Sequence, residues 1–142
     1  MARAFVDNPL RHFNNLPMLR PDAVRRVKSY SASNGYVYQY CFYEVNRIIH
    51  EGGPAGEFTY AISADRKKTL PLRVVVLQAA LESWARANGR ALTSSEEYAV
   101  AKMRLFQAFD EGEVPVTAAG AQELRLLVDE ARLEELLRML NI

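Results

Sequence analysis

Lys102 is the residue with the clearest potential for chemistry in this sequence. When residues 97–111 are placed on a helix at about 100° per residue, Lys102 falls inside an apolar arc that includes Tyr98 and Phe109. An ammonium group removed from water tends towards a lowered pKa, and it can then act as a base, an amine nucleophile or an anchor for an anion. The candidate ligand-binding residues are therefore Lys102, Tyr98 and Glu44.

A structural role for Lys102 is the alternative. The lysine stem can cover apolar surface while its ammonium reaches solvent, or the ammonium can pair with a carboxylate such as that of Glu44. The opposite side of the same helix is expected to face solvent, because it carries charged and amide side chains. They are Glu96, Glu97, Arg104, Gln107 and Glu111.

The remaining chemical motifs are incomplete. Tyr98-x-x-x-Lys102 has the spacing of the catalytic pair of short-chain dehydrogenases, but that chemistry needs a Gly-x-Gly-x-x-Gly turn, which the sequence lacks. The glycine-rich residues 52–56 lack the Gly-Lys-Ser/Thr of a phosphate-binding loop, so a flexible hairpin loop is expected. The two histidines stand in no metal-ligand spacing, and Cys41 is expected to be a small buried hydrophobe. The sequence predicts no catalytic residue, no cofactor and no metal site.

Composition is that of an ordinary globular protein. The chain has 142 residues, of which 49% are hydrophobic and 25% charged, and its net charge is +1. Its single cysteine excludes an intramolecular disulfide. The absence of a secretory leader and of a long apolar run predicts a cytoplasmic protein without a membrane partner. Residues 1–30 are basic and residues 107–142 acidic, which favours ends that complement one another in a dimer over a nucleic-acid-binding arm.

Strand signals dominate the first half of the chain. The Asn34-Gly35 pair predicts a hairpin with a type I′ turn, because both residues tolerate positive φ. The segment after this turn is dense in aromatic and β-branched residues and is expected to be the long central strand. Strands are predicted at 27–32, 36–49, 57–65 and 72–76, with a helix start as the alternative for the last.

Helix signals follow in the second half. Gly89 is placed to end the first helix in the αL conformation, and Ser94-x-x-Glu97 has the form of a capping box for the second, which Gly112 ends. Residues 123–128 are compatible with a fifth strand or with part of a long helix, and the strand is preferred, although the wider range 118–128 leaves both open. Asp129 then caps a terminal helix. The predicted helices are 78–88, 94–111 and 130–140.

The order β-β-β-β-α-α-β-α predicts an α+β fold. We expect an antiparallel sheet of four to five strands with helices packed on one face. Residues 1–26 contain three prolines and apolar residues at no steady period, so they are expected to form an extended N-terminal arm. Residues 27–142 would form a single α+β domain.

The second predicted strand carries large side chains on both faces. Alternation places four aromatic residues on one face, and they are the candidate interface residues Tyr36, Tyr38, Tyr40 and Phe42. Helices can cover one face of the sheet, and the other face also needs a cover because large apolar patches are uncommon on monomers. A second copy or the N-terminal arm would provide it. An ordinary core and a ligand or base-stacking platform are the alternatives.

Two stretches of the sequence resemble a small family of uncharacterised bacterial proteins. They are RVKSYSASNGYVYQY at residues 26–40 and EYAVAKMRLFQAFD at residues 97–110. The resemblance extends over roughly residues 26–112. It implies a bacterial source but no activity and no site residues.

Three functional hypotheses follow from these observations. The leading one is a non-enzymatic, cytoplasmic domain that self-associates as a twofold homodimer through the tyrosine face or the arm. The second is a small-molecule or anion-binding module that uses Lys102 and tyrosine hydroxyls. The third is weak binding of single-stranded nucleic acid by basic segments beside the tyrosines, and the near-neutral net charge argues against it.

Overall fold

The computed structural model describes residues 26–114 and 124–142. Its strands and helices follow one another in the predicted order. The strands are β1 (Lys28–Ser31), β2 (Val37–His50), β3 (Gly53–Ser63), β4 (Leu70–Leu77) and β5 (Leu124–Val128). The helices are α1 (Gln78–Asn88), α2 (Ser94–Asp110) and α3 (Glu130–Met139). The α+β class is confirmed, and so is the preference for a strand at the end of the 118–128 segment. Residues 1–25 of the predicted arm lie outside the described residues.

The five strands form one sheet in the order β1-β2-β3-β4-β5. The sheet is mixed and mostly antiparallel, whereas the sequence predicted a purely antiparallel one. Parallel neighbours need a crossover connection of about a dozen residues or more, and only the β4 to β5 connection, through α1 and α2, is that long. The parallel pair is therefore β4 with β5. The long strand β2 stands second in the sheet, and β3 is the central strand.

The first hairpin turn is not the predicted type I′ turn. Gly35 has a φ of 92°, but no positive φ occurs at Asn34. The Gly35 N–H donates to the Ala32 carbonyl at 3.0 Å, and the Ala32 N–H donates to the Tyr36 carbonyl at 2.8 Å. These bonds close a three-residue loop with an αL glycine at its end. Asn34 contributes its side chain instead, because its Oδ1 accepts the Tyr36 N–H at 3.0 Å.

Residues 53–56 of the glycine-rich segment 52–56 are strand rather than the predicted flexible loop. Only Glu51 and Gly52 connect β2 to β3, and their φ values of 50° and 86° are those of a type I′ turn. Pro54 lies in β3, where it removes one donor from the ladder. Pro54 is the second residue of β3, and a proline is tolerated at the end of a strand better than in its middle.

The ends of α1 and α3 follow the sequence signals. The αL residue Gly89 has a φ of 73° and donates its N–H to the Ala85 carbonyl, which ends α1 as predicted. The Asp129 carboxylate accepts the Arg132 N–H at 2.9 Å and caps α3. Three leucines of α3 are buried as its apolar stripe requires: Leu133, Leu136 and Leu137.

The capping box of α2 lies one residue before the predicted one. The Thr93 hydroxyl accepts the Glu96 N–H at 3.1 Å, and the Glu96 carboxylate accepts the Thr93 N–H at 2.9 Å. The prediction of Ser94 was wrong because both residues are good N-caps with a glutamate three positions later. Arg90 binds both carboxylate oxygens of Glu96 at 2.8 and 3.0 Å. This pair, followed by the Thr93 N–H, lowers the pKa of Glu96 to about 2.

The described residues divide into two compact units. The first unit comprises residues 26–44, 59–72 and 108–114 with Leu124, and the second comprises residues 45–58, 73–107 and 125–142. Aromatic rings form the core of the first unit, and branched aliphatic side chains form the core of the second. The largest fully buried side chains of the second unit include Val74, Val75, Val76, Leu105, Leu133 and Leu136.

The predicted solvent-facing side of α2 is partly buried. Arg104 and Gln107 are each only 5% exposed. The Gln107 Oε1 accepts a hydrogen bond from Arg104 Nη1 at 3.4 Å and another from Arg132 Nη1 of α3 at 2.8 Å. The prediction was wrong because Arg132 of α3 reaches this side of α2 and donates to Gln107.

Candidate functional site

The tyrosine face of β2 is mostly internal to the first unit. Tyr38 is 0% exposed, and its ring stacks on Phe109 with the centroids 4.3 Å apart. Tyr40 is buried and Phe42 is half-buried, with the Phe42 ring 5.5 Å from that of Tyr60. Only Tyr36 is well exposed, at 48%. A partner that docks on the candidate interface residues would therefore meet Tyr36 first.

The candidate ligand-binding residues belong to different units. Lys102 and Tyr98 lie on α2 in the second unit and Glu44 lies on β2 in the first, and all three are half-buried. The Lys102 ammonium lies 5.8 Å from the centroid of the Phe106 ring, one turn further along α2. This cation–π geometry is the arrangement expected of a lysine that covers apolar surface.

The outer edge of β2 is the most exposed apolar feature of the sheet. Among the described residues, β1 is the strand on that side of β2, and it pairs only with residues 37–40. β2 continues for ten more residues beyond this pairing. Val45 is 50% exposed and Ile49 is 72% exposed in this stretch. Since they are four residues apart on one strand, they share a face.

The last six residues of β2, 45–50, lie in the second unit. The tight Glu51-Gly52 turn holds β2 against β3 up to its last residue. Arg47 lies near the start of α2, where its charge acts on Glu97. Burial raises the pKa of Glu97, and the Arg47 guanidinium opposes that rise. We call residues 41–50 the β2 edge segment.

A charged cluster that the sequence analysis missed crosses β3, β4 and β5 in the second unit. The Glu57 carboxylate lies 3.5 Å from Arg73 Nε and 3.0 Å from Arg125 Nη1. The side chain of Glu57 is only 12% exposed and that of Arg73 only 16%. Arg73 interrupts the apolar run of β4, and this interruption was the available sequence signal. The identity of its carboxylate partner depends on strand pairing.

A second polar cluster joins the first hairpin to the end of α2 in the first unit. The Tyr30 hydroxyl donates to Asp110 Oδ2 at 2.7 Å, and the Ser33 N–H donates to Asp110 Oδ1 at 2.9 Å. The hydrogen bond to the carboxylate, followed by burial and the carboxylate charge, raises the pKa of Tyr30 to about 12. The phenol is therefore held in its protonated form as a structural donor.

We expect Tyr30→Phe to lower the free energy of unfolding at neutral pH by about 1.5 kcal/mol, since the lost hydrogen bond has a charged acceptor. Because folding raises the pKa of Tyr30 from 10.0 to about 12, its contribution is complete below pH 10 and lost as the pH rises towards 12. Urea unfolding between pH 7 and 11.5 measures the difference between wild type and variant. A difference that stays constant through this range would contradict the assignment.

No protein-family model, curated protein or solved structure matches this chain. The resemblance to uncharacterised bacterial proteins therefore stays a prediction. Within residues 26–114 and 124–142, no helix is both long enough and apolar enough to cross a membrane. The same residues contain no group of three or more histidine, cysteine or acidic side chains placed to hold a metal ion.

Proposed function

We propose that this is a cytoplasmic, non-enzymatic bacterial protein that forms a twofold homodimer through the β2 edge segment. The observation that carries the proposal is the length of β2, whose last ten residues extend past β1 with Val45 and Ile49 exposed. Apolar side chains that are exposed on a strand beyond the end of its neighbour are surface that a second copy can cover. Antiparallel pairing of two such segments would create one sheet across the dimer.

A second copy suits this edge for two reasons. Twofold association is the commonest form of self-assembly, and it brings a strand edge against an identical edge in antiparallel orientation. The segment also contains Glu44 and Arg47 and so has no net formal charge, which keeps two copies from repelling one another. Pairing would cover Val45 and Ile49 in both chains. Tyr36 and Val37, at 48% and 42% exposure, are further apolar surface at the start of β2.

The basic start and acidic end of the chain are also consistent with self-association. Residues 1–30 contain six basic and two acidic side chains, whereas residues 107–142 contain three basic and eight acidic ones. Opposite charges on two ends favour association of copies and speed their encounter. This contribution should weaken with salt, whereas strand pairing between apolar edges should not.

We expect Ile49→Lys to convert the dimer to a monomer, because an edge lysine opposes strand pairing through its charge and hydration. Tyr38 is unsuitable for this test, since a charge at a fully buried position would unfold the first unit. Sedimentation velocity at micromolar concentration measures the mass, and circular dichroism checks that the variant is folded.

Met139→Lys is the matched control. Met139 is 51% exposed on α3, much like Val45, and it lies outside the β2 edge segment. This variant should keep the wild-type mass. A folded Ile49→Lys variant that still sediments as a dimer would refute the role of this edge. Loss of the dimer in both variants would show that added charge, rather than its position, prevents association.

A further inference from the structure

A cleft between α1 and α3 combines one aromatic wall with two carboxylates. It is lined by Trp84, Ser83, Asn88, Glu130, Glu134 and small apolar side chains of the same helices. The Ser83 hydroxyl donates to the Glu130 carboxylate, which links the two helices at the cleft. No basic side chain is among the lining residues. All of these residues belong to the second unit.

The same indole already accommodates a guanidinium in this molecule. The Arg90 Cζ lies 5.3 Å from the centroid of the Trp84 ring, while the Arg90 guanidinium also binds the Glu96 carboxylate. Arg90 does not line the cleft. Guanidinium groups stack on aromatic faces and bind carboxylates through two parallel donors, and indole is the strongest aromatic partner for a cation. The cleft presents the same combination, an indole beside carboxylates, and Arg90 is not among its lining residues.

We propose that this cleft binds the guanidinium of an arginine side chain on a partner polypeptide. The cleft is small and partly open to solvent, so it suits the end of one side chain rather than a whole ligand. Glu134 and Glu130 would accept the guanidinium N–H groups, Trp84 would cover its face, and the Asn88 carbonyl would accept a further N–H. This site is independent of the β2 edge segment.

Trp84 is the only tryptophan of the chain, so tryptophan fluorescence excited selectively over tyrosine reports on the surroundings of Trp84. We expect N-acetyl-arginine N-methylamide to change the tryptophan emission of the full-length protein with a saturable dependence on concentration. The citrulline analogue has the same shape without the charge and should leave the emission unchanged. The lysine analogue should bind more weakly, because an ammonium lacks the planar pair of donors.

Glu134→Gln should weaken binding of the arginine probe about fivefold, as expected for loss of one exposed charge partner. Glu82→Gln is the control, since Glu82 is an exposed carboxylate of α1 that does not line the cleft. Absence of saturable binding, equal binding of the citrulline or lysine analogue, or equal weakening by both variants would overturn the proposal. Tighter binding of free arginine than of the capped probe would overturn the polypeptide as its source.

Discussion

Replacing Phe109 by alanine is expected to lower the free energy of unfolding by about 3–5 kcal/mol. The Phe109 ring is fully buried and stacks on Tyr38 at a centroid distance of 4.3 Å and an interplanar angle of 6°. The rings of Tyr30 and Tyr40 lie 5.8 and 6.4 Å away. The substitution therefore removes the residue around which three tyrosines are arranged. Since small domains are stable by about 5–15 kcal/mol, much of the stability would be lost.

Phe106→Ala is the matched control for this prediction. Phe106 lies on the same helix but is half-buried, with the Lys102 ammonium above its ring. Phe106→Ala should lower the free energy of unfolding by about 1–2 kcal/mol, clearly less than Phe109→Ala, because a partly exposed ring gains less from burial. Urea unfolding followed by circular dichroism gives both values. Equal costs for Phe106 and Phe109 would contradict the arrangement of the first unit around Phe109.

Replacing Glu57 by alanine is the second substitution that we expect to cause a large loss of stability. The two arginines that face this carboxylate, Arg73 and Arg125, would keep their charges and lose their shared acceptor. Removing one partner of a buried pair costs about 3–5 kcal/mol, and the 44% exposure of Arg125 reduces this cost. We therefore expect a loss of about 2–3 kcal/mol in urea unfolding.

Glu57→Gln distinguishes the charge from the packing of the side chain. Glutamine keeps the size of the side chain and one acceptor oxygen but not the charge. Glu57→Gln should therefore lower the free energy of unfolding by about half as much as Glu57→Ala. The exposed Glu82→Gln on α1 should change stability by less than about 0.5 kcal/mol. A Glu57→Ala variant as stable as wild type would show that the cluster contributes nothing measurable.

The local elements could be predicted because their signals are local. Gly89 and Asp129 mark helix ends through single hydrogen bonds to residues within four positions. The dense β-branched and aromatic run of β2 predicts a strand of nearly its observed length. Capping of α2 was misplaced by one residue because two adjacent residues offer the same chemistry.

Most of the wrong predictions concern residues whose burial or hydrogen bonds depend on parts of the chain that are distant in the sequence. The glycine-rich segment is an exception with a local cause, since the Glu51-Gly52 turn already reverses the chain and leaves residues 53–56 to pair with β2. Gln107 is buried because Arg132 on α3 donates to it. The Tyr30 to Asp110 bond joins residues 80 positions apart. No periodicity in the sequence encodes these contacts, since each depends on how the elements pack.

The candidate site was only partly predictable for a related reason. Alternation correctly indicated that β2 has large side chains on both faces, but Val45 and Ile49 have the same residue types as core strands. Both lie beyond the part of β2 that pairs with β1, because this pairing stops at Tyr40, opposite Lys28. Composition predicts the tyrosines as interface residues, whereas Tyr38 and Tyr40 are buried beside Phe109.

The mass of the unmodified full-length protein at micromolar concentration tests the central proposal most directly. Native mass spectrometry, checked by sedimentation velocity in buffer of high and low salt, should give twice the 16.1 kDa chain mass without any added ligand mass. A single species of 16.1 kDa under these conditions would contradict self-association through the β2 edge segment.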